Sequence, residues 1–524
     1  MSKVNVVLIG GGGREHALAD ALSRSPRLGR LFVTHPQNPG LSSLGTPVDV
    51  PVNIREIYRL GQFCRHHDVG LVVIGPEGPL AEGYADRLQA EGVTVFGPTA
   101  DAARLESDKA WCKDLLRGAS IPTADARVFT DPEAARQYLE TRVHDDPAFH
   151  LLAQRLAPIR DPDRRRQVFM AAVRLGVAAL DRAPQQAADW TIVKDSGVFR
   201  FPAGDNVPFL VEARALAAAW RAARPDLPVI KASGLAAGKG VVVPDSLAEA
   251  FDAIDRFMVR KTLGDAARQV LIEERLAGPE VSVLAIIDGE NILVLPPCKD
   301  HKRLSDGDQG PNTGGMGAIC PAPTIDEPTM ARVVRDILVP TVDALRRESI
   351  RYRGVLYAGL MLTPAGPKVL EFNCRFGDPE CQPLMARLRS DALELMLAAC
   401  QERLADIDVD WAPDAACCVV LASHGYPGSP RTGDPIVGLD EAERLSGVRV
   451  YHAGTARDGQ GRIVTAGGRV LGITATGPTL DDARRLAYDA CSRISFPGMH
   501  YRRDIGAVAP ITPHSRRDPG GQGA

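Results

Sequence analysis

The residues best equipped for chemistry lie in one stretch, Lys368-Val-Leu-Glu-Phe-Asn-Cys-Arg-Phe-Gly-Asp-Pro-Glu380. Val369, Leu370 and Phe372 predict a strand over 368–373. Period-two alternation then places Glu371 and Asn373 on one face, with Leu370 and Phe372 on the other. A carboxylate beside an amide oxygen is a hard oxygen pair suited to Mg²⁺. Arg375 at the strand exit can fork onto phosphate or carboxylate, and Gly377-Asp378-Pro379 turns the chain toward Glu380. A polar strand end leading into a turn is the plain alternative.

Other stretches offer partners for that chemistry. Pro228-Val-Ile-Lys231-Ala-Ser-Gly234-Leu-Ala-Ala-Gly238-Lys239-Gly240-Val-Val-Val reads as strand, loop, strand. It is one residue short of a Walker A loop, and Gly240 stands where that motif needs Ser or Thr. A clamp is expected instead, with Lys231 on the incoming strand and glycine N–H groups over phosphates. Arg268–Arg275 reads as a strand ending in Glu273 and Glu274. Glu280 opens the hairpin that follows. Such acids can hold an adenine amino group or ribose hydroxyls, although exposed Glu is commonly just solvated. Between Asp300 and Gly317 a long irregular segment carries Lys302, Arg303, Pro311, Asn312, Thr313 and Gly315, a composition suited to an anionic substrate.

These groups need elements to position them. Val4–Ile9 is an apolar strand, Gly10–Gly13 a turn, and Arg14 begins a helix, the arrangement that seats phosphate on helix N–H groups. A dinucleotide fingerprint fails: Gly-x-Gly-x-x-Gly lands on Glu15 or His16, and the strand at Leu31 ends in Thr34-His35 without the ribose-binding acid. Val69–Ile74 is a further parallel-type strand, with Glu77 just past its carboxyl end. A short strand at 93–96 closes a first domain. Leu105–Asp114 starts a helix, and Gly118-Ala-Ser-Ile-Pro-Thr123 stops it. From about Thr141 to Arg224 the chain becomes rich in Ala and Arg, with a helical stretch at 167–180 and strand-like pieces at 190–193 and 198–201. This is expected to be an inserted subdomain carrying no site. Gly354–Leu362 and Lys368–Asn373 are read as adjacent strands, followed by a helix over 390–403. Strands at 415–422, 449–453 and 469–476 with a helix at 481–494 predict a compact α+β unit. From Ile511 the tail is expected to be disordered.

Bulk properties bound the function. A chain of 524 residues implies several domains. The net charge of −3, without a basic block, argues against a nucleic-acid footprint. No apolar run reaches the roughly 18 residues of a membrane span, and the N-terminus lacks a signal-peptide layout. The ten cysteines are scattered without Cys-x-x-Cys spacing, and Cys417-Cys418 read as core filling. His66, His67 and His150 have no partner pattern and are read as surface. A reducing cytoplasm fits.

Gly-Gly-Gly-Gly-Arg-Glu-His-Ala (10–17), Gly-Pro-Glu (75–77), Gly-Leu-Ala-Ala-Gly-Lys-Gly-Val (234–241), Gly-Pro-Asn-Thr-Gly-Gly-Met-Gly-Ala (310–318) and Arg-Phe-Gly-Asp-Pro-Glu (375–380) occur in this order. The set resembles the phosphoribosylamine–glycine ligases, also called glycinamide ribonucleotide synthetases, within the ATP-grasp superfamily. His452-Ala-Gly-Thr455 and Gly467–Leu471 are similar to that family's C-terminal domain. The resemblance implies an α/β and α+β multidomain fold. An N-terminal open parallel-sheet (pre-ATP-grasp) domain spans 1–104, and an ATP-grasp domain of two subdomains spans 105–408 with the insert at about 142–225. A small α+β domain spans 409–510, and a tail 511–524. Three departures stand out: the insert, Ser233 where the family commonly has Asp, and His35-Pro-Gln-Asn38-Pro-Gly40 in place of Ala-Pro-Gly-Asn.

The same resemblance implies a reaction: ATP-dependent joining of glycine to 5-phosphoribosylamine in purine biosynthesis, through glycyl phosphate. Glu371 and Asn373 would hold Mg²⁺ or Mn²⁺. Lys109 and Lys231 would contact ATP phosphates, with the loop containing Gly234, Gly238, Lys239 and Gly240 closing over them; Glu273, Glu274 and Glu280 complete the nucleotide site. Arg375 would stabilise the transferring phosphoryl group or the glycine carboxylate. Gly11, Gly12, Gly13, Arg14, Glu15, Asn38, Glu77, Lys302, Arg303, Pro311, Asn312, Thr313, Gly315, Asp378, Pro379 and Glu380 would hold the two small-molecule substrates. A monomer or weak homodimer is expected, with no nucleic-acid or membrane partner. A purine-pathway carboxylase or formyltransferase of the same superfamily would share the clamp and the metal strand, but not the 310–318 and 375–380 motifs. A regulatory ATP-binding protein would be signalled by loss of Glu371, Asn373 or Lys231, and all are present.

Overall fold

The computed structural model describes residues 2–142, 227–236, 238–244 and 247–507. The helical and strand-like readings within 143–226, His150 and the tail from 511 lie outside the described residues.

The N-terminal part is a five-stranded sheet in the order Thr46–Pro47, Leu28–Val33, Val4–Ile9, Val69–Ile74, Val95–Phe96. Every pairing in it is parallel. Val6, Val7 and Leu8 are fully buried because helices cover both faces, the usual situation of a parallel sheet. Each such side chain contributes roughly 1.5–3 kcal/mol of burial. The strand order reverses between Val4–Ile9 and Val69–Ile74, so the crevice beyond their carboxyl ends is the expected ligand position. Gly10–Gly13 and Glu77 occupy it. Glu77–Ala81 is a short helix opening on Glu77 itself.

Two four-stranded antiparallel sheets follow. One runs Ile292–Val294, Glu280–Ile287, Gly354–Thr363, Gly366–Asn373; the other Ala126–Phe129, Val270–Glu273, Val229–Ala232, Val241–Val242. A parallel bridge between Thr123 and Val369 links the approach to the second sheet with the edge of the first. The helix expected from Leu105 to the stop at Gly118 is two helices, Ala100–Ser107 and Lys109–Gly118, because Asp108 leaves helical geometry and caps the second helix through Trp111 N at 3.1 Å.

A third sheet has the order Lys299–Asp300, Gly317–Cys320, Ala415–Ala422, Arg469–Gly477, Val448–His452, covered by the helix Leu480–Arg493. Cys417 and Cys418 are fully buried in it. Two of its strands come from the segment read as irregular. That segment instead holds strands at 299–300, 303–305, 309–312 and 317–320. Sequence alternation was too short there to register as strand. The sheet also joins 299–320 to residues beyond 414, although the sequence placed 299–320 wholly with the preceding unit.

Candidate active site

Glu371 lies on the strand Gly366–Asn373, which pairs with Gly354–Thr363. The register moves from Gly359↔Glu371 to Leu360↔Val369, so Leu370 is an extra, bulged residue. This corrects the simple alternation expected of the strand. Phe372 is buried, whereas Leu370 is only half-buried, although both border the cleft that holds Glu371. The bulge also presents the Leu370 carbonyl to Lys231, whose Nζ donates to it at 2.9 Å.

The cleft, about 330 Å³ counting its open mouth, lies between the two antiparallel sheets and is lined by Lys109, Lys113, Lys231, Glu273 and Glu371, with apolar walls from Leu105, Val369 and Phe372. Lys109 is the first residue of its helix. Its Nζ donates to the Gly234 carbonyl at 3.4 Å, and its backbone N–H donates to Ser233 O at 2.9 Å. Lys231 Nζ lies 2.8 Å from Glu273 Oε2, and Lys113 Nζ lies 3.3 Å from Glu273 Oε1. Burial favours the neutral acid at Glu273, but Lys231 and Lys113 outweigh it and hold the carboxyl below its ordinary value. At Glu371 burial is likewise outweighed, by Lys302, Lys231 and Lys109, and the carboxyl is held down at about 2. Burial lowers the Lys109 pKa, with Glu371 opposing. The result is an acid kept ionised among cations, a suitable lining for a polyphosphate and its counter-cation.

The donor set fits a hard cation. Glu371 is ionised, and the Asn373 side chain forms no hydrogen bond among the described residues. No group of three or more His, Cys, Asp or Glu poised for a metal occurs among those residues either. A cation would therefore take only one or two protein ligands and complete its shell from the nucleotide and water, as Mg²⁺ commonly does.

Lys302 does not stand apart with the anionic-substrate segment. Its Nζ lies 3.3 Å from Glu280 Oε2 and 3.4 Å from Glu371 Oε1, bridging the two strand ends. Arg375 Nε lies 3.1 Å from Glu77 Oε2, and its Nη2 lies 3.0 Å from Glu106 Oε1. Glu106 also accepts the Cys374 backbone N–H at 2.7 Å. Burial pushes the Glu106 carboxyl up, with Arg375 opposing. The guanidinium is thus neutralised by two acids and ties the strand exit to the N-terminal crevice.

Several expected ligand contacts resolve into positioning. Each oxygen of Glu273 meets a lysine, so in this structure it orients Lys231 and Lys113. Glu274 pairs with Lys368 at 3.3 Å, outside the cleft lining. The Asn38 amide N–H groups donate to Gly11 O, His452 O and Ala453 O, and its oxygen accepts from Gly40 N and Leu41 N. That leaves no capacity for substrate. Asn38 instead fastens the glycine turn to the 452–455 segment. Glu15 caps its own helix through Gly12 N at 2.7 Å and holds Arg14 Nε at 2.6 Å; both side chains are buried. Arg303 donates to Gly310 O within its own hairpin.

The turn after Arg375 faces Gly12 and Gly13. Asp378 Oδ2 lies 2.9 Å from Arg469 Nη2, and Gln382 Nε2 donates to Asp378 Oδ1 at 2.8 Å. Arg469 also donates to Gly314 O, so the 310–317 segment rests on the same turn. Thr313 donates to Lys302 O and accepts from Gly315 N. Glu380 is buried, and its Oε1 accepts from Tyr357 Oη at 2.8 Å and Ser282 Oγ at 3.2 Å. In the clamp, Gly234 N donates to Ala266 O and Ala232 N to Gly240 O, while Gly238 and Lys239 are exposed. Pro311 is exposed and Asn312 pairs with Arg303. Gly11, Glu77 and Pro379 complete the rim.

Sequence reasoning missed Lys113, Glu106, Arg469 and the Asp300 side chain. Lys113 follows Lys109 by four residues, a helical spacing that places both on one face. The other three owe their positions to tertiary contacts far apart in sequence. Asp300 is pushed well above the ordinary carboxylate value, first by burial and then by Glu380, with Lys302 and Arg469 opposing.

Two antiparallel sheets closing on a lysine-lined cleft, with an ionised acid on the floor strand, define a ligase of the ATP-grasp class. The chain belongs to the phosphoribosylglycinamide synthetase family. Its residues 4–106 match that family's N domain, 205–381 its ATP-grasp (A) domain, and 416–508 its C domain. The A match begins inside the stretch read as an insert. The chain is 43% identical over 516 residues to a phosphoribosylamine–glycine ligase of Rhodopirellula baltica, covering 98% of this chain and 99% of that one. It is 38% identical to the ligase of that name from Escherichia coli, with 96% and 98% covered. A crystal structure of phosphoribosylamine–glycine ligase from Thermotoga maritima superposes with a TM-score of 0.69 at 28% identity, covering 96% of this chain and 100% of that one. The biotin carboxylase domain of Hydrogenobacter thermophilus 2-oxoglutarate carboxylase shares the fold at 14% identity and TM-score 0.60.

Proposed function

We propose that the protein joins glycine to 5-phosphoribosylamine through glycyl phosphate, at the expense of ATP. The observation that carries this is Glu371, ionised among Lys302, Lys231 and Lys109 on the floor of the cleft. Glycine's carboxylate has no leaving group at neutral pH. Transfer of the γ-phosphoryl group to a carboxylate oxygen supplies one and releases ADP. The amine then attacks the carbonyl, the C–O bond to phosphate breaks, and one proton leaves the nitrogen. The first step brings two anions together, so catalysis is positioning and charge neutralisation. Lys109 and Lys231 bind the nucleotide phosphates, with Lys231 aimed by Glu273 and by the bulged Leu370 carbonyl. Glu371 and Asn373 hold Mg²⁺ or Mn²⁺, which when bound neutralises phosphate charge. The 234–240 loop covers the phosphates and keeps water from the acyl phosphate. Arg375 holds Glu77 at the crevice where Gly11–Gly13 receive the second substrate, and Asp378, Pro379 and Glu380 form the wall between them.

Sequence likeness supports a division at 1–104, 105–408 with the insert about 142–225, and 409–510, with the strands at 299–300 and 317–320 joining the sheet of the last part. A cytoplasmic monomer or weak homodimer fits this reading.

The test is isotopic. Glycine labelled with ¹⁸O in its carboxylate is expected to deliver one label to inorganic phosphate per turnover. Phosphate without label would overturn the acyl phosphate route.

A further inference from the structure

Cys298 directly precedes the two-residue strand Lys299–Asp300, the edge of the third sheet. That strand pairs with Gly317–Cys320 in the register Lys299↔Ile319 and Asp300↔Ala318. Continued by one residue, the register sets Cys298 opposite Cys320. The two segments stay side by side beyond the pair, since Ala322 N donates to Pro297 O at 2.8 Å. Opposed residues of antiparallel strands have Cα atoms about 4.5–5.5 Å apart, inside the roughly 4.4–6.8 Å that a disulfide spans.

The two sulfurs have different surroundings. Arg387 is buried and forms no ion pair among the described residues. Its Nε donates to Asp414 O at 2.6 Å and its Nη2 to Ala412 O at 2.9 Å, while Nη1 donates to Cys320 Sγ at 3.1 Å. A buried cation without a carboxylate is costly, and the Cys320 thiol is the acid this guanidinium touches. Burial favours the neutral thiol at Cys320, but the hydrogen bond from Cys298 and the Arg387 charge outweigh it and lower its pKa. Burial and the same hydrogen bond push the Cys298 thiol well up, so Cys298 keeps its proton. Cys320 is thus set up as the attacking sulfur and Cys298 as the resolving one.

We propose that Cys298 and Cys320 form a redox modification site, a dithiol that a small hydroperoxide closes to a disulfide. The Cys320 thiolate attacks a peroxide oxygen, the O–O bond breaks, and Cys320 sulfenic acid forms with release of hydroxide, which takes up the proton Cys320 gave up. The Cys298 sulfur then attacks the sulfenic sulfur, the S–O bond breaks, and the Cys298 proton leaves with that oxygen as water. The two thiols lose two electrons, hydrogen peroxide gains them, and two waters result. Both sulfurs are closed to solvent, so the oxidant enters as the two-residue edge strand opens locally. The site is independent of the ligase reading, because thiols and not turnover report it.

The full chain, reduced and freed of reductant, is treated while folded with hydrogen peroxide, then with catalase, and its thiols are counted after denaturation. Of the ten free thiols, two are expected to be lost and to return with dithiothreitol. Trypsin cuts at Lys299, Lys302 and Arg303, between the two cysteines, so a joined peptide holding both reports the bond by mass spectrometry. Cys298→Ser is expected to give no joined peptide and to leave a Cys320 sulfenic acid that dimedone captures. Cys320→Ser is expected to lose no thiol. Cys298→Ala and Cys320→Ala are read in the same way if the serine variants do not fold. Survival of all ten thiols, a loss that falls on other cysteines, or a loss that persists in Cys320→Ser overturns the proposal.

Discussion

The Ser233 hydroxyl donates to Asp108 Oδ1 at 3.0 Å and accepts the Ala110 backbone N–H at 3.0 Å. The first residue past the clamp strand is thereby tied to the cap of the helix that carries Lys109. An aspartate at 233 would set a second carboxylate against Asp108. Ser233→Asp is therefore expected to lower stability by about 1–2 kcal/mol and to weaken ATP binding. Asp108→Ser keeps a capping hydroxyl, so Asp108→Ser/Ser233→Asp should recover most of the loss. A double-mutant cycle by urea denaturation checks this; simple additivity would contradict it.

Glu273 is shared by Lys231 and Lys113 with almost no solvent access. Lys113→Met is expected to raise the ATP KM about tenfold with a smaller change in kcat, because Lys231 loses part of its frame. Lys113→Arg should restore part of it. Equal losses in kcat and kcat/KM would show instead a contact made only in the transition state.

Arg375 separates two buried or half-buried acids. Arg375→Met leaves Glu106 without its counter-charge and is expected to cost about 3–5 kcal/mol. Adding Glu106→Gln should return part of that stability while activity stays low. Thermal melts and steady-state rates on the pair distinguish positioning from a direct role; no recovery of stability would contradict the pairing.

Glu371 gives a signed pH prediction. Its folded pKa of about 2 lies below its ordinary 4.5, so the ionised acid stabilises the fold above about pH 4.5. That contribution is lost as pH falls toward 2. The stability advantage of wild type over Glu371→Gln should shrink between about pH 5 and pH 3 in urea titrations. A constant difference would contradict it. At neutral pH the same variant should fold yet turn over orders of magnitude more slowly, and wild-type-like rates across a Mg²⁺ titration would remove the metal role.

The parallel sheet, the strand–loop–strand clamp and the paired strands at 354–373 were legible because their apolar runs are long and bounded by glycine or proline. Glu371, Lys109 and Lys231, which motif order singled out, come together in one cleft. The Leu370 bulge was not, since a register shift is set by the partner strand. Asn38, Glu15 and Glu273 were read as ligand contacts without sight of their internal partners, for a common reason. Sequence shows an available polar group but not the backbone or lysine that already occupies it. Asp300 was invisible for the converse reason, since the lack of a hydrogen-bond partner for its buried Oδ1 exists only once the chain is folded.

The most direct measurement is ADP release by the purified protein with Mg-ATP, glycine and phosphoribosylamine made in situ, each omitted in turn. The account predicts release that requires both glycine and phosphoribosylamine, with glycinamide ribonucleotide formed in equal amount. Steady release without glycine, or ATP binding with no release when everything is present, would contradict it.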